Sequence, residues 1–144
     1  IDVNSHLGVL KENSLNSASG RAIAVIGNGL DNIYPYQNKE IAEKIINSGG
    51  CIISEYIIGT KPLKNNFPAR NRIISALADK LIVVEAENEK SGTMITVDFS
   101  LELGKEIYVV PGNINSKMSV GTNKLIKDGA KIITEFNDII DEDY

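Results

Sequence analysis

Residues 80–112 read KLIVVEAENEKSGTMITVDFSLELGKEIYVVPG. The apolar run KLIVVEA (80–86) predicts a buried strand, and SGTMITVDFSLELG (91–104) predicts a helix that ends at a glycine. EIYVVPG (106–112) predicts a second strand, which ends at a proline. Two continuous apolar strands joined by a helix are typical of a parallel sheet with helices on both faces. This stretch therefore predicts an α/β fold.

The same alternation extends in both directions along the chain. AIAVIG (22–27) and CIISE (51–55) are predicted strands, with a helix over NKEIAEKIINSG (38–49) between them. VGTNKLIKDG (120–129) is predicted to form a short helix, and AKII (130–133) a last strand at an edge of the sheet. Ligands of such sheets bind at the carboxyl ends of the strands, so the loops at those ends are the candidate sites.

The composition narrows the class of protein. The 144 residues suit one domain, and the net charge of −4 argues against non-specific coating of duplex DNA, although it allows a local basic site. Cys51 is the only cysteine, which excludes an internal disulfide, and the apolar run around it predicts that its side chain is buried. A single buried cysteine and the lack of a long apolar stretch lead us to expect a cytoplasmic protein without a membrane span. Because the chain begins with Ile1 rather than Met, we expect it to be a piece of a longer protein.

One stretch is cationic within this acidic chain. Residues 56–78 contain no Asp or Glu, and their cations are Lys61, Lys64, Arg70 and Arg72. Cations are disfavoured at the start of a helix, so the two arginines need another explanation. At 100° per residue Arg70 lies on the face that packs on the sheet, which predicts that it projects into the crevice as part of an anion site. The alternative is that these cations are solvated, or that Arg70 pairs with Glu55 or Glu85.

Two further motifs lie at strand ends or helix starts. IAVIGNG resembles the beginning of a dinucleotide fingerprint, but the third glycine would fall at Asn32, so we expect no NAD or FAD and assign the glycines to a tight turn. SGT (91–93) opens a helix. Its small polar residues are explained equally well by a bound phosphate and by simple N-capping by Ser91. For GTN (121–123) we favour N-capping.

Catalytic groups are few. His6 is the only histidine, and no Cys/His set could hold zinc. Packing or capping explains His6 better than catalysis. Glu85 and Glu87 could form a carboxylate pair, although Glu87 is better explained as a solvated residue. We therefore predict no catalytic residue, no metal and no cofactor.

The motifs together resemble the DNA-processing protein A family (DprA, also called Smf). The segments that carry the resemblance are, in order, IDVNSHLGVL, IAVIGNGLDNIYP, ISEY, NFPARNRIISALAD, VVEAENEKSGTMIT, ELGKEIYVVPG and GTNKLIKDGAK. The resemblance covers nearly the whole chain and implies an extended Rossmann-like domain. It also implies a protein that protects incoming single-stranded DNA in natural transformation, forms a homodimer and loads RecA, and that is not an enzyme.

The resemblance implies roles for particular residues. Lys64 would contact a phosphate of the strand and Phe67 would stack on a base. The full predicted DNA-binding set is Gly27, Asn28, Lys64, Phe67, Arg70, Asn71, Arg72, Ser91, Gly92 and Thr93. The predicted dimer interface consists of Leu125, Ile126 and Ile132, with the alternative that Leu125 and Ile126 simply pack on the sheet.

Residues 1–144 are expected to form a single domain of this family, with two strands of the family's sheet and a winged-helix domain lying outside the chain. Two other classes of protein share features of this sequence. The nucleoside-monophosphate phosphoribohydrolases of the LOG type share a similar layout, but they need an acid where this chain has Thr96. A nucleotide-sensing or purely structural Rossmann-like module is the third alternative.

Overall fold

The computed structural model describes residues 2–15, 20–88 and 90–140. Residues up to Arg70 form one compact unit, and residues from Asn71 onward form a second. Helix α3 (Asn66–Leu77) begins in the first unit and continues into the second. Within the described ranges, no helix has the length and apolar character that a membrane span requires.

The described residues of the first unit form two strands and two complete helices. They are α1 (Asp2–Leu15), β1 (Ile23–Val25), α2 (Lys39–Asn47) and β2 (Cys51–Ile53), with a short 3-10 helix (Tyr36–Asn38) ahead of α2. The two strands pair in parallel, with Ile23 opposite Cys51. A parallel pair needs a crossover connection, and the chain that includes α2 supplies it.

The end of α2 depends on two glycines. Ala42 and Ile45 are the buried side chains of the helix. Gly49 then adopts a φ of 82°, which an L side chain rarely takes, and so turns the chain. A Cβ atom on Gly50 would lie 2.3 Å from the carbonyl oxygen of Ala22. Only glycine allows this approach, which brings β2 alongside β1.

The second unit contains three parallel strands in the order β3-β4-β5. Its elements after α3 are β3 (Lys80–Val83), α4 (Gly92–Glu102), β4 (Glu106–Val109), α5 (Val120–Lys127) and β5 (Lys131–Ile132). Short 3-10 helices cover Lys117–Ser119 and Phe136–Ile139. Helices α4 and α5 each follow a strand and connect it to the next, as the apolar pattern predicts.

An apolar core holds these strands and helices together. Its buried members are Val83, Ala86, Val97, Ile107, Val109 and Leu125. A polar link joins α3 to α4 within this unit: the buried Ser100 hydroxyl donates to Ser75 Oγ at 3.0 Å, and Ser75 donates to the carbonyl of Thr96 at 3.0 Å. Each hydroxyl therefore has a partner, so its burial does not leave a polar group unsatisfied.

The predicted α/β class with parallel strands is confirmed, and the strands and helices follow the predicted order. The strands are shorter than their apolar runs, and within the described residues they form two sheets, β1-β2 and β3-β4-β5, rather than one.

The prediction that Cys51 is buried is wrong. Cys51 stands at the first position of β2 opposite Ile23, which is itself 50% exposed, so the described residues leave this end of the two-stranded sheet uncovered.

Candidate nucleic-acid interface

A cavity of about 280 Å³ lies at the carboxyl end of β1 in the first unit. Its walls come from α1, from β1 and the loop that follows, from α2, from Ile52 of β2, and from the first turn of α3. Of the predicted DNA-binding residues, it is lined by Gly27, Asn28, Phe67 and Arg70. The carboxyl edge of β1 thus brings together residues that are about 40 positions apart in the sequence, as expected for a parallel sheet.

The loop after β1 is held in place by Asn28. This side chain is 1% exposed, and its Nδ2 donates to the carbonyl oxygens of Gly29, at 3.0 Å, and Asn32. The carbonyl of Asn28 accepts from the hydroxyl of Ser54 at 2.7 Å, which ties the loop to the end of β2. Within the described part of the chain, Asn28 Oδ1 has no hydrogen-bond partner, although it is buried.

Gly27 lets the start of α3 approach this loop. A Cβ atom on Gly27 would lie 3.3 Å from Cδ1 of Phe67 and 3.4 Å from the carbonyl carbon of Asn66. Asn66 Nδ2 donates to the carbonyl oxygen of Gly27 at 2.8 Å. The glycine and this hydrogen bond together fix where Phe67 stands at the cavity.

Arg70 lines the cavity and is half-buried. Its Nη1 donates to the carbonyl oxygen of Val25, the last residue of β1. Burial lowers the pKa of the Arg70 guanidinium from its usual value, while the negative charge of Asp2 acts in the opposite direction. A guanidinium stays protonated at any ordinary pH, so Arg70 places a positive charge at the cavity and also braces the end of the strand.

Phe67 and Lys64 occupy different positions at the start of α3. Phe67 is half-buried and lines the cavity, with its ring centroid 6.1 Å from that of Tyr34 and the two planes tilted by 42°. Lys64 is exposed in the turn that precedes the helix and does not line the cavity. An aromatic ring at a cavity wall with an exposed ammonium three residues earlier can contact both a base and a phosphate.

The remaining predicted DNA-binding residues belong to the second unit. Asn71 Nδ2 donates to the carbonyl oxygen of Gly92 at 3.3 Å, so α3 and the start of α4 are in contact there. Ser91 occupies the N-cap position of α4 without a side-chain capping hydrogen bond, and its Oγ is a buried atom with no partner among the described residues. The side-chain cap considered for this motif is therefore not formed. Thr93 is half-buried and Arg72 is exposed.

The start of α5 differs from its prediction. The N-cap position belongs to Ser119, and GTN (121–123) lies inside the first turns, so the expected capping by this motif is wrong. The backbone N–H of Gly121 donates to the carbonyl oxygen of Ala86 at 2.8 Å, and Thr122 is buried. The start of α5 thus packs against Ala86, in the segment that follows β3.

The three predicted dimer residues differ in exposure. Leu125 is 7% exposed and belongs to the core of the second unit, which fits the alternative that it packs on the sheet. Ile126 packs against that core and is partly buried. Ile132 is 47% exposed on β5, which pairs only with β4 among the described residues.

Sequence reasoning missed two kinds of residue at the cavity. Tyr34 belongs to the loop after β1, and His6 belongs to α1, and both line the cavity. An aromatic residue in a polar loop at a strand's carboxyl end was the available signal for Tyr34. His6 had no such signal, because only the packing of α1 within the first unit brings it to the cavity. The described residues contain no group of His, Cys, Asp and Glu that could hold a metal ion.

Comparison with known proteins gives consistent matches over nearly the whole chain. The profile of a family described as DNA recombination-mediator protein A matches residues 1–143. DNA processing protein DprA from Streptococcus pneumoniae is 41% identical over 142 residues, which are 99% of this chain and 48% of that protein. Protein Smf from Escherichia coli is 40% identical over 141 residues, 98% of this chain and 36% of that protein. The chain thus spans less than half the length of either relative.

Two solved structures share the fold. The X-ray structure of DprA from Streptococcus pneumoniae superposes with a TM-score of 0.79 at 39% identity, covering 93% of this chain and 44% of that one. A structure of DNA processing protein A from Helicobacter pylori, described for its unique single-stranded DNA binding mode, gives a TM-score of 0.76 at 29% identity. That match covers 94% of this chain and 70% of the Helicobacter pylori chain. Both likenesses fit the predicted Rossmann-like fold.

Proposed function

Because this chain belongs to the DNA recombination-mediator protein A family, we propose that it binds single-stranded DNA at the cavity of the first unit. The observation that carries the proposal is Phe67 at the wall of this cavity, with Arg70 lining it and Lys64 exposed ahead of α3. The binding mode described for the Helicobacter pylori protein gives the proposal support from a relative.

The charge distribution also supports this function. The chain carries a net charge of −4, yet its residues 56–78 contain cations and no Asp or Glu. The local excess of positive charge attracts a strand of DNA to this stretch although the chain as a whole is acidic, which favours a local groove over a coated surface. In the second unit, Asn71, Arg72 and the start of α4 at Ser91–Thr93 are proposed as separate contacts to DNA.

The proposed role is binding rather than catalysis. The protein protects single-stranded DNA and loads RecA onto it, acting as a cytoplasmic homodimer. Incubation with AMP tests the enzymatic alternative directly, because a phosphoribohydrolase would release ribose 5-phosphate. We expect no release above that of a heat-inactivated sample, and sustained release would contradict the proposed role.

The central experiment measures oligonucleotide affinity by fluorescence anisotropy over a series of salt concentrations. Phe67→Ala should weaken binding by about 1–3 kcal/mol, because a stacked base is lost. The slope of log affinity against log salt should stay the same, because stacking releases no counterions. Phe136→Ala, which removes another phenyl ring that is 74% exposed, is the matched control and should bind as the parent does.

Lys64→Ala tests the phosphate contact in the same assay. Removing one cation that contacts a phosphate should lower the magnitude of the salt slope by about 0.7, the value for one contact to a single strand. Lys127→Ala removes an exposed lysine in the last turn of α5 and should leave the slope unchanged. Unchanged affinity in both Phe67→Ala and Lys64→Ala would refute the proposed site.

A further inference from the structure

Two aromatic rings stand together at the cavity of the first unit. Tyr34 and Phe67 both line it, with ring centroids 6.1 Å apart and planes tilted by 42°. Tyr34 comes from the loop after β1, whereas Phe67 comes from the first turn of α3. Of the two rings, the family resemblance assigns a role only to Phe67, so Tyr34 has no assigned function.

Tyr34 is not a core residue. Its side chain is 53% exposed, so the ring keeps much of its surface in contact with solvent although its other side faces the cavity. Phe67, in contrast, is held by the close approach of Gly27 and by the neighbouring Asn66 hydrogen bond. Phe67 is therefore fixed in position, whereas Tyr34 lies beside it with much of its ring exposed to solvent.

We propose that Tyr34 is a second stacking residue, and that it holds one nucleobase of a DNA single strand against Phe67. This inference rests on the proposed function and names the second wall of the same site. Aromatic carbon atoms stack at about 3.5–4 Å, so a base between two rings needs centroids roughly 7–8 Å apart. Tyr34 must move outward by about 1–2 Å and turn parallel to Phe67 to admit the base.

The size of the cavity suits this ligand. Its volume of about 280 Å³ is close to the lower end, about 300 Å³, of ordinary small-molecule sites, which is enough for a single base. A base in a duplex would have to be unpaired and unstacked before it could enter. The clamp of Tyr34 and Phe67 therefore selects single strands over duplexes without reading their sequence.

The experiment uses the full chain and an oligonucleotide that carries 2-aminopurine, whose fluorescence falls when it stacks on an aromatic ring. Tyr34→Ala should weaken binding about 5- to 150-fold, with an unchanged salt slope and reduced quenching. It should also narrow the difference in affinity between single strands and duplexes. Tyr34→Phe keeps the ring and should behave as the parent does.

Two further variants separate stacking from folding. Tyr36→Ala is the matched control, because Tyr36 is two residues away, 74% exposed and not part of the cavity wall, and it should bind as the parent does. Tyr34→Leu keeps an apolar side chain without a ring, so it should lose affinity while its melting temperature stays close to that of Tyr34→Phe. Parent-like affinity and quenching in Tyr34→Leu or Tyr34→Ala would overturn the clamp.

The outcomes also separate this inference from the proposed function. If Phe67→Ala loses affinity and Tyr34→Ala does not, the protein binds single strands with one ring and the clamp alone is wrong. If the parent itself fails to bind the oligonucleotide, the proposed function and the clamp fail together.

Discussion

At the scale of single residues, Asn28 is the side chain on which the loop after β1 depends. Its amide nitrogen donates to two backbone carbonyl groups from a position that is 1% exposed. Asn28→Asp has nearly the same shape but replaces the donor by an acceptor that faces both carbonyl oxygens. We expect the free energy of unfolding to fall by about 1–3 kcal/mol for each lost donor, measured by urea denaturation at pH 7.

The same variant should show a pH dependence with a defined sign. The buried carboxyl of Asn28→Asp would have a raised pKa, because burial and the facing carbonyl oxygens disfavour its charged form. Its folded state then binds a proton more tightly than its unfolded state, so its stability should increase as the pH falls toward the ordinary pKa of Asp, about 3.9. Asn65→Asp changes an exposed asparagine and should match the parent at pH 7; equal stability of the two variants there would contradict this role.

At the scale of elements, α5 approaches Ala86, in the segment that follows β3, through Gly121. A Cβ atom there would lie 2.6 Å from Cβ of Ala86 and 2.9 Å from its carbonyl oxygen. Gly121→Ala should therefore lower the free energy of unfolding by about 1–3 kcal/mol, even though alanine favours helices by up to about 1 kcal/mol.

Thermal denaturation checks this prediction with Gly92→Ala as the matched control. Gly92 also lies in the first turn of a helix of the second unit, but a Cβ atom there would meet nothing within 4 Å. We expect Gly92→Ala to melt at the parent's temperature or slightly above it. A Gly121→Ala variant that melts together with this control would show that α5 tolerates displacement from β3.

At the scale of the whole molecule, the proposed homodimer depends on β5. The described residues leave one edge of this strand unpaired, and Ile132 on it is 47% exposed, whereas Leu125 is occupied in the core. An unpaired edge strand offers backbone groups that a second copy can pair with, and a symmetric interface feels each substitution twice. Ile132→Glu should therefore shift a dimer toward monomer, as measured by light scattering.

Leu101→Glu serves as the control for this test. Leu101 lies on α4 and is 58% exposed, so the substitution adds the same charge on another surface and should leave the dimer intact. A parent that stays monomeric at the highest measurable concentration would refute the proposed homodimer. If Ile132→Glu forms a dimer as tight as that of the parent, the dimer interface does not lie at β5.

The sequence by itself determined the class and order of the elements and the family. A continuous apolar run such as KLIVVEA predicts a strand of a parallel sheet, and this property is local, so it can be read without knowing the fold. The run did not determine burial, because Ile82 within it is 44% exposed. The motifs at the strand ends are also local stretches of sequence, so the family resemblance could be read without knowing the fold. The cationic stretch that leads into α3 was also visible, because charge is a property of composition.

Only the tertiary structure decided which of these residues meet. The hydrogen bond from Arg70 to Val25 joins residues 45 positions apart, and the pairing of Tyr34 with Phe67 depends on two separate segments that pack at one strand end. Such contacts follow from packing, which periodicity does not encode. The exposure of Cys51 and the burial of Leu125 depend in the same way on what covers each position. A local apolar pattern shows that a side chain can be buried, and only the neighbours that fold against it decide whether it is.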